Sequence, residues 1–174
     1  MIFGHLPAGY LITRALSCRR EDATKLMLCG LIASVLPDTD ILWFLLVDHG
    51  RHHHHDYLFH QPLFWLSLAM AAFGIAQAFS WKRAYAYILV ATVNLTAHMA
   101  LDTIAGGIAW LAPFSPERWQ LVEIPARYEW WGWSFIFHWT FLLELLMIAT
   151  AFYVWKRSCP KRSSSSMMTP IFAR

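Results

Sequence analysis

Histidine and aspartate recur in this 174-residue chain at places where a mainly apolar sequence has little reason to keep them. Asn94, His98 and Asp102 follow one another at i, i+4 and i+8, which stacks all three on one face of a helix. In Leu36-Pro37-Asp38-Thr39-Asp40 two carboxylates lie two residues apart beside a proline, which removes a backbone donor and disturbs the helix so that both can turn inward. The stretch DHGRHHHHDYLFHQP gathers His49, His52, His53, His54, His55 and His60, while His5 stands near one terminus and His138 toward the other. Imidazole and carboxylate are what zinc, manganese or iron accept when no thiolate is offered. Several such groups together can hold two or three divalent ions about 3.5–4 Å apart with a bridging water. Bound ions lower the pKa of that water toward neutrality, which makes hydroxide available for attack on phosphorus or carbonyl carbon. The candidate ligands are His5, Asp38, Asp40, His60, His98, Asp102 and His138, with one or two of His52 to His55. Asp40 and Asp56 are also the candidate catalytic carboxylates, able to act as general base.

The elements that must position these groups are apolar. The chain is 57% hydrophobic and 14% charged with a mean hydropathy of +0.40, far from the roughly 25% charged fraction of soluble domains. Five apolar stretches, Ile2 to Leu16, Leu26 to Val47, Pro62 to Phe79, Ala84 to Ala112 and Ser134 to Trp155, predict an all-α, polytopic membrane bundle. Alternating the spans puts Arg14, Arg19, Arg20, Lys25, Lys82, Arg83, Lys156, Arg157, Lys161, Arg162 and Arg174 on one side, leaving Arg51, Arg118 and Arg127 on the other. By the positive-inside rule the first side is cytoplasmic, the N-terminus faces out and the C-terminus faces in. Most of the ten tryptophans crowd the outer ends, as an interfacial belt does. A signal peptide is the rival reading of the N-terminus, but Arg14, Arg19 and Arg20 follow the apolar run instead of preceding it. Residues 1–157 thus form the membrane domain, with an external His-rich loop at 48–61 and an external Trp-rich loop at 113–133. Residues 158–174 read as a disordered, basic, Ser-rich cytoplasmic tail.

Other residues have plainer roles. Cys18, Cys29 and Cys159 show no pair spacing, so neither a disulfide framework nor a thiolate zinc site is indicated. Asn94 reads as a packing or ligand-supporting amide, and Gly106 and Gly107 as a bend or close helix approach. Glu144, six residues after His138, faces another side of its helix and reads as a supporting group. No basic face free of lipid exists to suggest nucleic-acid binding.

Taken together, FGHLPAGYL, the Leu-Pro-Asp-Thr-Asp segment, HHHHDYLFHQPLFW and HMALDTIAGGIAWLAPFS resemble the YdjM-type family of membrane-bound, metal-dependent hydrolases. The resemblance implies a bacterial inner-membrane protein, in some members LexA-regulated, distantly similar to zinc-dependent phospholipase C and single-strand zinc nucleases. It places ligand candidates on His5, Asp38, His55 or His54, His60, His98 and Asp102. Where many members read His-Arg-x-x-Thr-His-Ser, this chain has His55-Asp56-Tyr57-Leu58-Phe59-His60-Gln61, keeping the histidine spacing and losing the arginine. The expectation is a multi-pass inner-membrane hydrolase holding zinc, as two or three ions, and acting on a phosphoester of a lipid or envelope molecule. A divalent metal or proton transporter is the second reading, although few polar residues beyond Glu144, Asn94 and Thr92 continue to the inner side. A non-catalytic membrane adaptor is the third. Inward His and Asp side chains more than about 8 Å apart would favour it, because ligands of one ion lie within a few ångströms of each other.

Overall fold

The computed structural model describes residues 3–49 and 51–157, so the predicted tail at 158–174, with Cys159, lies outside the described residues. Among the described residues seven helices follow one another, with two 3₁₀ turns at His54–Asp56 and Leu58–His60 ahead of the fourth: α1 (His5–Ser17), α2 (Ala23–Val35), α3 (Pro37–Asp48), α4 (Pro62–Ala78), α5 (Ala84–Ala105), α6 (Trp131–Ile136) and α7 (Thr140–Lys156). Among the described residues there is no strand, only an antiparallel bridge between Ile108 and Trp119. The fold is all-helical, as expected.

Local chemistry explains where the helices stop. Pro37 has no amide to continue α2 and its ring clashes with the preceding turn, so the chain leaves α2 at Val35 and resumes as α3 after a bend of 46°. The first turn of α3, Pro37–Asp40, is a 3₁₀ turn. With three residues per turn, side chains two apart diverge by about 120° around the axis, against about 160° in an α-helix. Asp38 and Asp40 therefore reach a common neighbour, as the proline suggested. The last turn of α3 is a π turn ending at His49, whose backbone is left-handed at φ 53°. α5 runs until Gly106 and Gly107, the latter at φ +69°, where a side chain would be strained.

Beyond α5 the chain doubles back over the end of that helix. Ile108 and Trp119 exchange backbone hydrogen bonds of 3.0 and 2.9 Å. The amides of Leu121 and Val122 donate to the carbonyls of Thr103 and Ile104, and the Gln120 side-chain amide donates to the Ala105 carbonyl. The carbonyls that a helix C-terminus leaves without partners are thus taken up by residues 120–122, which fixes this segment to α5.

α1 packs against α2, α5 and α7, α2 against α5, and α4 against α5. Many polar groups are inside and many large apolar groups outside. His98, Asp102, Asn94, Thr13 and Glu144 are at most 1% exposed, whereas Leu46 is 71%, Leu142 64% and Leu28 62% exposed. That inversion suits a chain whose surroundings are apolar. The five uniform spans expected are not found as such. Ala84–Ala105 is the helix long and apolar enough to cross a bilayer alone, and α2 with α3 meets that test only as a bent pair. The expected fourth span ends at Ala105 instead of Ala112 because the glycine pair turns the chain. The expected fifth is divided between α6 and α7. α1 has 13 residues, a rise of about 20 Å against a hydrocarbon thickness of about 30 Å.

Glycines allow the closest crossings. A Cβ on Gly30 would stand 1.8 Å from Thr13 Oγ1, and one on Gly9 would stand 2.4 Å from the Cβ and Oγ of Ser34. Gly30→Ala is expected to destabilise the bundle by about 1–3 kcal/mol through overpacking, seen as a lower melting temperature in detergent. Gly74→Ala, where nothing lies within 4 Å of the new Cβ, serves as control and is expected to leave it unchanged or slightly raised.

Candidate metal centre

Three helices and one loop meet at one end of the bundle. α1 supplies His5 from its first residue, and α5 supplies His98 and Asp102 from its last two turns. The turn after Pro37 supplies Asp38 and Asp40, and short 3₁₀ turns at His54–Asp56 and Leu58–His60 supply His54, His55 and His60. His5, Asp38, His98 and Asp102 each present a ligand atom within 4.8 Å of the others, and His54, His55 and His60 form a second such group. These buried groups could hold a metal ion.

The ring orientations are set from behind. The Nδ1–H of His98 donates to the Ser34 carbonyl at 2.8 Å, that of His55 to the Gly106 carbonyl at 2.7 Å, and that of His60 to Asp40 Oδ2 at 2.8 Å. With Nδ1 donating, a ring in its neutral form keeps its lone pair on Nε2. Those nitrogens face shared carboxylates. Asp38 Oδ1 lies 3.6 Å from His98 Nε2 and 3.7 Å from the Nε2 atoms of His54 and His60. Asp102 Oδ2 lies 3.0, 3.8 and 3.9 Å from the Nε2 atoms of His98, His60 and His55. His5 stacks on His98, ring centroids 3.7 Å apart, with its Nε2 3.1 Å from Asp102 Oδ1.

Several of these approaches are close without being aligned as hydrogen bonds. His5 Nε2, His60 Nε2, His98 Nε2 and Asp40 Oδ1 are buried with no hydrogen-bond partner among the described residues. Orphaned buried polar atoms are costly unless something else satisfies them. Donors 2.0–2.1 Å from one tetrahedral ion are about 3.3 Å apart, so separations of 3.0 to 3.9 Å fit shared coordination. Burial, opposed by Asp102, lowers the pKa of His55 to about 3 and keeps its ring neutral. At His60 burial also disfavours charge, but the carboxylates of Asp38, Asp40 and Asp102 around it outweigh burial and raise the pKa to about 9, so a metal ion on its Nε2 would displace a proton.

The remaining candidates fall outside these two ligand groups. His138 occupies the break between α6 and α7, its Nδ1 3.0 Å from Thr140 Oγ1 and its ring against Trp139, and it joins neither group. Asp56 lies beside the cluster, not in it, and its carboxylate is held by Arg118. Asp40 is buried with one oxygen on His60, so it orients that ring. The carbonyls of Ser34 and Gly106 had no signature in the sequence. Arg118 was legible only as a lone basic residue. The buried hydroxyls of Thr13, Ser17 and Ser34 were also missed. The separation that would favour a packing-only role for the His and Asp residues is not found.

A family model described as the YdjM inner membrane protein matches residues 1–169. The chain belongs to the YdjM inner membrane protein family. It is similar to the inner membrane protein YbcI of Escherichia coli strain K12, 31% identical over 110 residues, a match covering 58% of this chain and 62% of that relative. The chain thus spans less than two thirds of the length of this relative. No solved structure matches. Membership of the YdjM family and the YbcI likeness both support a membrane location.

The glycine at the end of α5 offers a test of the architecture. A Cβ on Gly106 would stand 2.2 Å from His55 Cε1 and 2.9 Å from its Nδ1. Gly106→Ala is expected to expel His55 from its bond to the Gly106 carbonyl. The expected readouts are faster amide exchange through residues 53–58 and a melting temperature lower by several degrees, corresponding to about 1–3 kcal/mol.

Proposed function

We propose that the chain is a membrane-bound, metal-dependent hydrolase acting on a phosphoester of a lipid or envelope molecule, using a water activated by two or three divalent ions. The observation that supports it is the convergence of Nε2 atoms on Asp38 and Asp102, with three imidazoles anchored through Nδ1 and their other nitrogens left to a common space. Imidazole and carboxylate without thiolate make zinc the leading candidate. His5, Asp38, His98 and Asp102 would hold one ion, and His54, His55 and His60 a second. When bound, the ions supply an acidified water and stabilise charge developing on phosphoryl oxygens.

The chain's own groups divide the remaining work. Asp40 fixes His60 from behind, which is how a carboxylate strengthens an imidazole ligand. Asp38, half-exposed among buried partners, is the cluster's opening to its surroundings. The membrane topology of this reading is multi-pass, with the N-terminus out, the C-terminus in and the centre on the external side, as the distribution of basic residues suggests.

Metal analysis of the purified full chain tests the proposal. The expected result is at least one zinc or other divalent ion per chain, most of it lost in His98→Ala and in Asp102→Ala with helix content unchanged. Wild-type protein that binds no divalent ion, or variants that keep the full complement, would overturn it.

A further inference from the structure

Of the two histidines grouped with Asp38 and Asp102, only His98 is tethered from behind, through the bond of its Nδ1 to the Ser34 carbonyl. The Nδ1 of His5 is buried and meets no hydrogen-bond partner among the described residues. Its ring is placed by stacking on His98 and by the backbone that carries it. His5 is the first residue of α1, and Gly4, which caps that helix, brings no side-chain acceptor to steady its start. The groups that fix the chain at residues 3 and 4 therefore fix the ring.

Those groups are on α7, which supplies no ligand to either histidine group. Glu144 Oε2 accepts the Phe3 amide at 2.5 Å, and the Phe3 ring meets Phe141 edge-on with centroids 6.3 Å apart. A Cβ on Gly4 would stand 2.6 Å from Met147 Cε and 3.5 Å from Glu144 Cγ, so the backbone passes directly over α7. Phe141, Glu144 and Met147 follow one another at i and i+3, along one side of the helix. Glu144 is 0% exposed. Packing α7 onto α1 needs no charge, and a carboxylate buried among the helices of a membrane chain is costly enough to mark a use. Its bond to the Phe3 amide is of the stronger, charge-assisted kind, made just ahead of a helix whose dipole favours negative charge at that end.

We propose that Glu144 is a positioning residue for the metal centre: by holding the Phe3 amide from α7 it sets the start of α1, and so the place of His5 Nε2, 3.1 Å from Asp102 Oδ1. This rests on the metal-dependent reading above, and on the ion of the His5, Asp38, His98 and Asp102 group in particular. Glu144 is not a ligand and takes no part in proton transfer or bond cleavage. His54, His55 and His60 are carried by the loop before α4, so the effect of Glu144 is confined to one of the two ion sites.

The test uses the full chain in detergent micelles with two probes, zinc affinity by competition with a chelator and the visible absorption of bound cobalt(II), which responds to ligand geometry. Glu144→Met, which fills the space and removes the acceptor, is expected to weaken one ion site about tenfold and leave the other within about twofold, at unchanged helix content. Glu144→Gln, whose amide oxygen still accepts from Phe3, is expected to recover most of that loss. Phe3→Pro, which removes the donor and keeps the carboxylate, is expected to reproduce it. His5→Ala is expected to weaken the same site and change the same cobalt(II) bands. Adding Glu144→Met to His5→Ala is expected to cost less than about twofold more, because both act through one ring. A carboxylate with a purely structural role would lower the melting temperature and leave zinc affinity and the cobalt(II) spectrum alone, and that result overturns the proposal. Full additivity of Glu144→Met with His5→Ala also overturns it. Wild-type protein that binds neither metal overturns both this and the hydrolase reading, while metal bound independently of Glu144 overturns only this one.

Discussion

Asp38, Asp40 and Asp102 share a set of imidazoles at one end of a bundle whose sides are largely apolar, and three carboxylates gathered there repel one another unless positive charge is brought among them. Each feature around the cluster follows from that requirement. Histidines come from α1, from α5 and from the loop before α4, because no single helix face can surround three acids. Their Nδ1 atoms are spent on Ser34, Gly106 and Asp40, so the Nε2 atoms point to the acids and not to arbitrary neighbours. The bend at Pro37 and the glycine pair after α5 are the two breaks in helical order that let backbone and side chains close around the site. Removing either would leave buried acids without their partners, which costs far more than the breaks do.

How much of this can be read from residues alone depends on the range of the interaction. The stripe of Asn94, His98 and Asp102 is periodic within one helix, and all three are buried on one face. Pro37 announces its bend because the effect is local and steric. His60 and the neighbouring histidines lie close in sequence and close in space. The carbonyls that orient His98 and His55 have no side-chain signature, since any residue offers one, and only the register of α2 and the end of α5 select Ser34 and Gly106. His138 lies outside both ligand groups for the opposite reason. Its type fits the site, but the three-residue break between α6 and α7 directs it to Thr140. Span lengths were overestimated because hydropathy continues through Gly106 and through Phe137, where the backbone turns.

The pairing of Asp56 with Arg118 joins residues 62 positions apart, and neither alone marks a contact. What makes the pair possible is the return of residues 120–122 onto the carbonyls of α5, which is a consequence of helix termination and not of catalysis. A helix that ends beside a buried site leaves acceptors that must be met, and meeting them with a loop sets that loop's residues at the site's edge. Structure built to satisfy the backbone thereby places a guanidinium near His53 and His55, and the end of α5 serves twice, as the source of Asp102 and as the anchor of the segment that carries Arg118.

The buried hydroxyls bear on whether the cluster could instead be the mouth of a conduit. Thr13 and Asn94 are linked at 3.0 Å, and Asn94 also donates to the Val90 carbonyl, so a polar column does extend from His98 into the bundle. It goes no farther as a relay. Ser17 donates to the Thr13 carbonyl, Ser34 to Leu31 and Thr92 to Ile88, each within its own helix, leaving no hydroxyl proton directed at the next group along. The contacts of Gly9 with Ser34 and Gly30 with Thr13 set an antiparallel register in which Ser17 is level with Leu26. There Leu26 and Val90, 0% and 2% exposed, fill the interior. The cavity lined by Arg20, Lys25, Arg83 and Tyr87 lies beyond that apolar layer, at the far end of α1, α2 and α5. A pathway for ions would need groups to exchange partners across this layer, and apolar side chains offer none. A cluster closed by apolar packing on one side and open at half-exposed Asp38 on the other suits the proposed hydrolase reading better than a conduit.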